Sequence, residues 1–590
     1  MDRSQHPVLR YVLNLRWRRR WPLIVAVALM GCGGGGGGNA ISDRQNNIAA
    51  AISDRFQAGV FEDATQFKDR CRAPRSGYDP ATGSPFPDRQ GTSTDENNWL
   101  RSWSNDLYLW YDEIEDVDPN DFETADYFSL MRSFALTPSG NFKDQFHFTV
   151  DSEVWRQQSQ GGVAGGYGIT FSLVSPSPPR RIVVAIVEPS SQAHNLGIRR
   201  GDEVIEVNGF DAVSASGGDT VTDPNDALFP IEGASHDFVF ERTDGSELEV
   251  SMTASLVTST PVQNVQVIDT DAGPVGYVSF HRHIATAEAL LIDAMTSLRD
   301  DDISDLVLDM RYNGGGFLDI ANQTAAMIAG ARAEGQTFDA MRFNKKHNDF
   351  NPLTGLPLRP TPFHFSAAGF SATAGTPLPR LNLDRVYILS SARTCSASEA
   401  VINGLMGIGV EVILIGETTC GKPYGFYAFD NCGTSYFTIQ FRGENAMGFG
   451  DYPDGFSPAN TPQVEGVPLP GCVVADDFSQ PLGDINERQL AAALQYRDNN
   501  TCPSMASTSD DRRERIPRQR RNDAVAEPFW MNSRIEIAPD PGSTAISISK
   551  CRSMNSVCAR ITSSVTGRSA KTSLSSSSFR RSITATQSPQ

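Results

Sequence analysis

The sequence predicts a mixed α/β chain in three parts: a small helical domain over residues 96–160, a β-rich module over 163–258 and an α/β domain over 265–505. Three observations carry this prediction. Trp99, Trp103, Leu107, Trp110 and Ile114 recur at helical spacing. Short β-type runs crowd residues 167–252. Apolar strand-like runs alternate with helical stretches between residues 276 and 415, the pattern of parallel strands joined by right-handed crossovers.

Composition bounds the rest. The chain has 590 residues, 39% of them hydrophobic and 21% charged, enough apolar material for real cores and too little charge for a wholly disordered chain. No apolar run reaches the roughly 18–20 residues of a spanning helix, which excludes a polytopic membrane protein. A net charge of −19 argues against nucleic-acid binding. The charge is uneven: residues 1–32 carry +5, residues 505–590 carry +7, and the body between them −31.

The basic start has its own explanation. Arg16, Arg18, Arg19 and Arg20 precede a ten-residue apolar run from Trp21 to Met30, the anatomy of an export signal. Leu29-Met30-Gly31-Cys32 resembles a bacterial lipobox. That resemblance implies a signal peptide over 1–32, lipidation of Cys32 and a body anchored on the extracytoplasmic face of a membrane. Gly33 rather than Asp after the cysteine points to the outer membrane. An ordinary secretory signal with a chance cysteine is the alternative, and Arg18-Arg19-Arg20 hints at twin-arginine export. Gly33 to Gly38 open a flexible tether and irregular segment over 33–95.

Export places the remaining cysteines where disulfides persist. Connectivity does not follow from sequence; proximity points to Cys420 with Cys432 and Cys472 with Cys502. No cysteine or histidine cluster has zinc spacing, so neither a metal nor another cofactor is expected.

In the helical part, Phe128, Met131 and Phe134 predict a second short helix, and the aromatic stripe reads as core. The β-runs are Tyr167 to Leu173, Arg181 to Val187, Glu203 to Val207, Phe238 to Glu241 and Leu248 to Met252. Between them lie Ser191-Gln192-Ala193-His194-Asn195-Leu196-Gly197-Ile198, Arg200-Gly201-Asp202 and Val207-Asn208-Gly209. The module resembles a PDZ domain. By that resemblance Gly166, Tyr167, Gly168 and Ile169 form the loop that presents backbone N–H groups to a peptide's terminal carboxylate, beside a strand edge that pairs with the peptide. A β-rich domain with hairpin turns and no such role is the alternative.

In the α/β part, Gly276 to Phe280, Leu306 to Met310, Val386 to Leu389 and Val412 to Ile415 read as strands. Leu290, Leu291, Ala294, Met295 and Leu298 make one face of a helix, and a second helix starts near Ser398. The stretch from Gly330 to Arg380 is long for a connection. Beyond Pro541 there is no Asp or Glu, and the basic, Ser-rich segment 506–590 is expected to be disordered.

Three strand ends carry chemistry. Asp309-Met310-Arg311-Tyr312-Asn313-Gly314-Gly315-Gly316 is an amide-lined turn ahead of a helix. Thr394-Cys395-Ser396-Ala397-Ser398-Glu399 places a serine at a helix start, where Ser396 and Glu399 also fit a capping box. Gly416 to Gly425 carries Lys422 among turn residues. Singly, each reads as ordinary structure. In this order, with 26 residues from Ser396 to Lys422, they resemble the carboxy-terminal processing (tail-specific) serine peptidases over roughly residues 95–505. Lys143-Asp144-Gln145-Phe146 is similar to that family's lead-in.

The resemblance implies a ClpP/crotonase-like α/β catalytic domain with a PDZ domain ahead of it. It implies Ser396 as nucleophile, Lys422 as general base, and Gly315 and Ala397 N–H groups as oxyanion donors. Protein or peptide substrates with apolar carboxy termini are the implied partners. The chemistry is coherent on its own terms: a serine needs an adjacent base, and burial makes neutral lysine accessible by disfavouring its charged form. His281 and His283 are the alternative base. A PDZ scaffold on an inactive peptidase fold and an acyl-transfer enzyme of related fold are the rival functions.

Overall fold

The computed structural model describes residues 56–214, 226–464 and 466–504. The expected signal, Cys32, the first part of the tether and the segment 506–590 lie outside the described residues. No helix among the described residues is long and apolar enough to cross a membrane.

The first helix, α1 (Ser93–Leu107), starts in a reciprocal cap. The Thr92 hydroxyl accepts the Asp95 N–H, and the Asp95 carboxylate accepts the Thr92 N–H. It buries Trp99, Leu100, Trp103 and Leu107. Trp110 and Ile114, which extend the helical spacing, fall beyond its end, because the chain turns to extended geometry at Tyr108. The second helix, α2 (Thr124–Leu130), carries Phe128; Met131 caps it, and Phe134 lies outside it, exposed. The aromatic stripe is core. Trp99 stacks on Trp103 at 5.1 Å, and Tyr436 meets Trp99 and Phe128 edge-on.

The β-module holds β1 (Val163–Gly166), β2 (Ile169–Ser175), β3 (Arg181–Val187), β4 (Glu203–Val207), β5 (Ser235–Glu241), β6 (Glu247–Thr253) and β7 (Ser255–Thr258). The antiparallel sheet runs β6-β5-β4-β3-β2, so β2 is an edge strand; β1 pairs with β7 apart from it. Val184, Phe238, Phe240 and Met252 fill its core. Val183 and Ala185, on the opposite face of β3, pack with Tyr312 and Phe478.

The α/β part comprises β8 (Val262–Ile268), β9 (Val275–Phe280), α3 (Ala287–Asp300), β10 (Asp305–Asp309), α4 (Leu318–Ala329), β11 (Thr337–Phe343), β12 (Arg385–Ser390), α5 (Ala397–Gly407), β13 (Glu411–Gly416), β14 (Gly471–Val473) and α6 (Arg488–Asn499). The sheet order is β8-β9-β10-β12-β13-β14. All its pairs are parallel except β8 with β9. Both faces are covered, which is why these strands read as continuous apolar runs. Leu306, Leu308, Val386, Ile388 and Leu414 face α3, α4 and α5, while Val307, Tyr387, Leu389 and Ile415 face α6. The long 330–380 stretch contains β11, which leaves the main sheet to pair with Phe441–Glu444.

Cys472 pairs with Cys502, as proximity indicates, but Cys420 does not pair with Cys432. Cys432 bonds Cys71, 361 residues away, and Cys420 bonds Cys395. Parallel neighbours cause this. Cys395 and Cys420 follow adjacent strands β12 and β13 and so emerge at the same sheet edge. Cys432 sits in the hairpin Phe429–Asn431/Thr434–Phe437, against which the segment around Cys71 packs.

Candidate active site

β10, β12 and β13 end side by side, and their carboxyl edge is where an open parallel sheet places its ligand crevice. The turn after β10 is held from below. Arg311 is fully buried, and its guanidinium pairs bidentately with Asp309 (3.0 and 2.9 Å) and with Glu487 (2.8 and 2.9 Å), and reaches Asp476 at 2.8 Å. These carboxylates hold its pKa well above the ordinary arginine value despite burial. Arg311 is therefore the anchor of the glycine turn.

Asn313 joins this turn to the next. Its carbonyl accepts Cys395 N–H at 3.0 Å and Ser398 Oγ–H at 2.9 Å. Gly315 has φ +103°, and a Cβ there would stand 2.9 Å from Ser396 Cβ and 3.0 Å from Ala397 N. The glycine turn thus presses directly on the serine turn. Gly315 N–H donates to Asn313 Oδ1 at 3.0 Å, an engagement that a developing oxyanion must displace or share. Ala397 is the first residue of α5, where an N–H has no intrahelical acceptor.

Ser396 itself has φ +64°, a left-handed conformation that a non-glycine residue adopts only when its surroundings enforce it. Its N–H donates to Glu399 Oε2 at 2.8 Å, the backbone half of a capping box. Its Oγ is fully buried and has no hydrogen-bond partner among the described residues. Ser398, by contrast, spends its hydroxyl on Asn313. The two serines therefore differ in kind: one positions a turn, the other points nowhere within the fold.

The lysine loop meets the serine turn through one carboxylate. Glu399 Oε2 accepts the N–H groups of Ser396 and Lys422 (2.8 and 2.9 Å), and Oε1 accepts Gly421 N–H (2.8 Å) and Thr419 Oγ–H (2.6 Å). Burial pushes the Glu399 carboxyl up from its ordinary value, and these donors oppose the shift. The Cys395–Cys420 disulfide straps the same two segments, and Cys420 N–H donates to Thr394 O. Lys422 is fully buried, its Nζ 4.5 Å from the Phe146 ring centre and 4.3 Å from that of Phe426. Phe146 belongs to the Lys143–Phe146 run, whose Asp144 accepts Tyr108 Oη–H and Phe146 N–H. One cluster of potential metal donors stands among the described residues: Cys395, Glu399 and Cys420. Its sulfurs are bonded to each other and its carboxylate is saturated with donors, so it offers no ligand set.

The histidines are elsewhere. His283 Nδ1 lies 3.0 Å from Asn313 Oδ1, under the turn. His281 lines a cavity beside Gly314, Gly315 and Gly316, and burial pushes its pKa down to about 4, leaving it neutral at physiological pH. Ser396 is 0% exposed and does not line this cavity.

In the β-module, Tyr167 is buried with its hydroxyl 2.7 Å from His236 Nδ1, and Gly168 has φ +85°. A Cβ on Gly168 would collide with Ser191 Cβ at 2.2 Å, so the glycine serves the module's own packing. Gly166 to Ile169 line a second cavity, together with Leu228, Phe229 and Pro230, beside the edge strand β2.

Glu399 is the site residue that sequence reasoning placed only as a capping partner. Its spacing from Ser396 was visible; its bonds to residues 20 or more positions away were not. Arg311 is the other, visible only as part of the Arg-x-Asn-Gly motif.

Residues 274–426 match the family model described as Peptidase family S41. The chain is similar to the chloroplastic carboxyl-terminal-processing peptidases 1 and 2 of Arabidopsis thaliana. It is 26% identical to the first over 291 residues (47% of this chain, 51% of that protein). It is 26% identical to the second over 166 residues (27% of this chain, 31% of that protein). The chain therefore spans about half the length, or less, of these curated relatives. It shares the fold of a candidate S41 protease from Bacteroides fragilis NCTC 9343 at a TM-score of 0.50 and 20% identity, covering 68% of this chain and 97% of that one. With the strand-end turns in the order described, the chain carries a peptidase family S41 domain and is homologous to carboxyl-terminal-processing peptidases.

Proposed function

We propose that this protein is a serine endopeptidase that cleaves exported proteins near their carboxy termini through Ser396 and Lys422. One observation carries the reading. A single carboxylate, Glu399, and a disulfide bind the serine turn to the lysine loop, while Gly315 lies against Ser396 Cβ. In the reaction, neutral Lys422 Nζ takes the Ser396 Oγ proton as Oγ attacks the scissile carbonyl. Ala397 N–H, with Gly315 N–H once Asn313 releases it, stabilises the oxyanion; such a donor is worth about 2.7–4 kcal/mol. The lysine ammonium then protonates the leaving amine. Neutral Lys422 Nζ then takes a proton from water as the water oxygen attacks the ester, and returns it to Ser396 Oγ as the acid product leaves.

The β-module serves as the PDZ domain of this enzyme. Its edge strand β2 pairs with a substrate tail whose terminus enters the Gly166–Ile169 loop and whose apolar side chain meets Leu228 to Pro230. Lipid on Cys32 holds the enzyme on the extracytoplasmic face of a bacterial membrane. A binding protein without hydrolysis is the second reading, favoured by the complete burial of Ser396 and Lys422.

A fluorophosphonate probe distinguishes the two. Labelling at Ser396, abolished in Ser396→Ala and in both Lys422→Ala and Lys422→Arg, is the expected result. Absence of labelling in the presence of a peptide ligand establishes the binding reading, and labelling retained in Lys422→Ala refutes the dyad. Mass spectrometry of the mature amino terminus tests the lipid on Cys32.

A further inference from the structure

Two aromatic rings reach the amine of Lys422 from different parts of the chain. Phe146 comes from the helical part, and Nζ stands over its ring, 4.5 Å from the centre. Phe426 follows the lysine loop, and Nζ stands over its ring at 4.3 Å. Lys422 and Phe426 are 0% exposed and Phe146 8%. Both rings are held from behind. Asp144 accepts Phe146 N–H at 2.9 Å and Tyr108 Oη–H at 2.7 Å, and Tyr108 Oη accepts Ser133 N–H at 2.8 Å. Tyr424 and Gly425, just before Phe426, pair with Arg442 and Phe441. The Phe426 ring itself meets those of Phe148 and Phe437 at 5.9 and 5.3 Å.

The arrangement bears on one step. When Lys422 Nζ takes the Ser396 Oγ proton, a positive charge forms in a buried site, where desolvation opposes it. In a Ser–His–Asp triad a carboxylate stabilises the cation that forms. Here the carboxylate between the two catalytic segments, Glu399, is turned to the N–H groups of Ser396, Gly421 and Lys422 and to the Thr419 hydroxyl. The face of an aromatic ring carries partial negative charge and attracts a cation within about 6 Å, most strongly where water is excluded.

We propose that Phe146 and Phe426 are positioning residues of this reaction: their faces stabilise the Lys422 ammonium as it forms and so strengthen the base. This rests on the Ser396–Lys422 reading proposed above and gives the helical part, through Phe146, a place in the chemistry. Other groups titrate on the elements packed here. Burial pushes Tyr108 up, and it pushes Tyr424 up with Asp451 and Asp454 adding to the shift. Burial pushes His147 down to about 4, so it stays neutral. Lys143 pairs with Glu113, and Arg442 with Glu444. Glu399 is raised by burial, but it binds the backbone of the lysine loop and not the Phe146 ring. An acid limb belonging to Glu399 would therefore stay fixed when only that ring is altered.

The test places mono-, di- and trifluorophenylalanine at position 146 of the full chain, draining the ring face of charge in steps at nearly constant volume. The rate of fluorophosphonate labelling at Ser396 is followed against pH. The high-pH plateau is expected to fall stepwise, by about 5- to 30-fold at the trifluoro ring, the range of a desolvated cation–π contact. The sign of the second effect is fixed. A weaker hold on the ammonium favours the neutral amine, so the acid limb should move to lower pH, by about one unit. Phe146→Leu, apolar but without a ring face, gives the same reading if the fluorinated protein is recovered poorly. A plateau that falls with an unmoved limb, or no change across the series, shows that the ring only fills space and overturns the inference. A parent that does not label, or Lys422→Ala that labels at the parent's rate, overturns the dyad itself and this inference with it.

Discussion

Replacing Cys395 and Cys420 together by serine removes the strap between the serine turn and the lysine loop. The bond closes a loop of 25 residues. In the chain-entropy treatment such a loop contributes about 3.5 kcal/mol at 25 °C. Spread over a catalytic part of about 240 residues at about 2.1 cal/mol/K each, that lowers Tm by about 7 °C. Activity responds separately. The four hydrogen bonds to Glu399 remain, so the loop stays nearby, but Lys422 loses its fixed distance from Ser396. Small misplacements of a reacting group cost up to about 100-fold, and kcat on a short peptide is expected to fall by about 10- to 100-fold with KM little changed. The control is Cys71→Ser with Cys432→Ser. That bond spans 361 residues and contributes at least as much to stability, yet it ties peripheral segments. Its loss should lower Tm and leave kcat at 25 °C unchanged. Both double variants are assayed by calorimetry and by steady-state cleavage. If the Cys395/Cys420 variant keeps its kcat while its Tm falls, the strap is structural only, and the argument that it sets the Ser396–Lys422 geometry is wrong.

Three further outcomes follow from the same geometry. Glu399→Gln turns an amide NH₂ toward N–H donors that need an acceptor; kcat should fall by more than about 100-fold, with about 2–4 kcal/mol lost in denaturant unfolding. Gly315→Ala places a methyl group 2.9 Å from Ser396 Cβ at a φ of +103° and should abolish probe labelling of Ser396, whereas wild-type labelling would show that the turn can yield. Arg200 joins the β-module to Tyr312 Oη (2.6 Å) and Asp476 (2.7 Å), so Arg200→Met should cost about 3 kcal/mol by leaving Asp476 underpaired. Burial alone would raise the Asp476 carboxyl, but Arg311 and Arg200 hold it below the usual range. A depressed carboxyl contributes stability that is complete above about pH 4 and lost as pH falls through its folded value. The variant's acid-unfolding midpoint, followed by circular dichroism, should therefore move to higher pH.

What was legible in the sequence was whatever repeats locally. Strands β9, β10, β12 and β13 announced themselves because both of their faces are buried, α3 because one of its faces meets that sheet, and α5 through the capping pair Ser396 and Glu399 at its start. The three strand-end turns were legible for the same reason: in a parallel sheet, residues that follow successive strands converge at one edge, so sequence order maps onto spatial proximity. Cys395 and Cys420 obey that rule, and pairing Cys420 with Cys432 by distance along the chain neglected it. Partners that come from other layers were not legible. No local pattern states that Phe146, from the helical part, lays its ring on Lys422 Nζ, or that Glu487 at the start of α6 closes the fork of Arg311. The left-handed backbone of Ser396 was equally hidden, because serine carries no signature of positive φ as glycine does. That strain is sustained by three contacts at once, one from its own helix and two from the glycine turn: Glu399 on its N–H, Asn313 on Cys395 N–H, and Gly315 against its Cβ. Gly168 reverses the case. The resemblance places it in a loop that presents N–H groups to a carboxylate, but the atom its Cα faces most closely is Ser191 of its own module, so a bulky residue there would perturb the fold before it tested a ligand. A motif thus names the residues that meet, and only the packing around them distinguishes a residue that reacts from one that holds another in place.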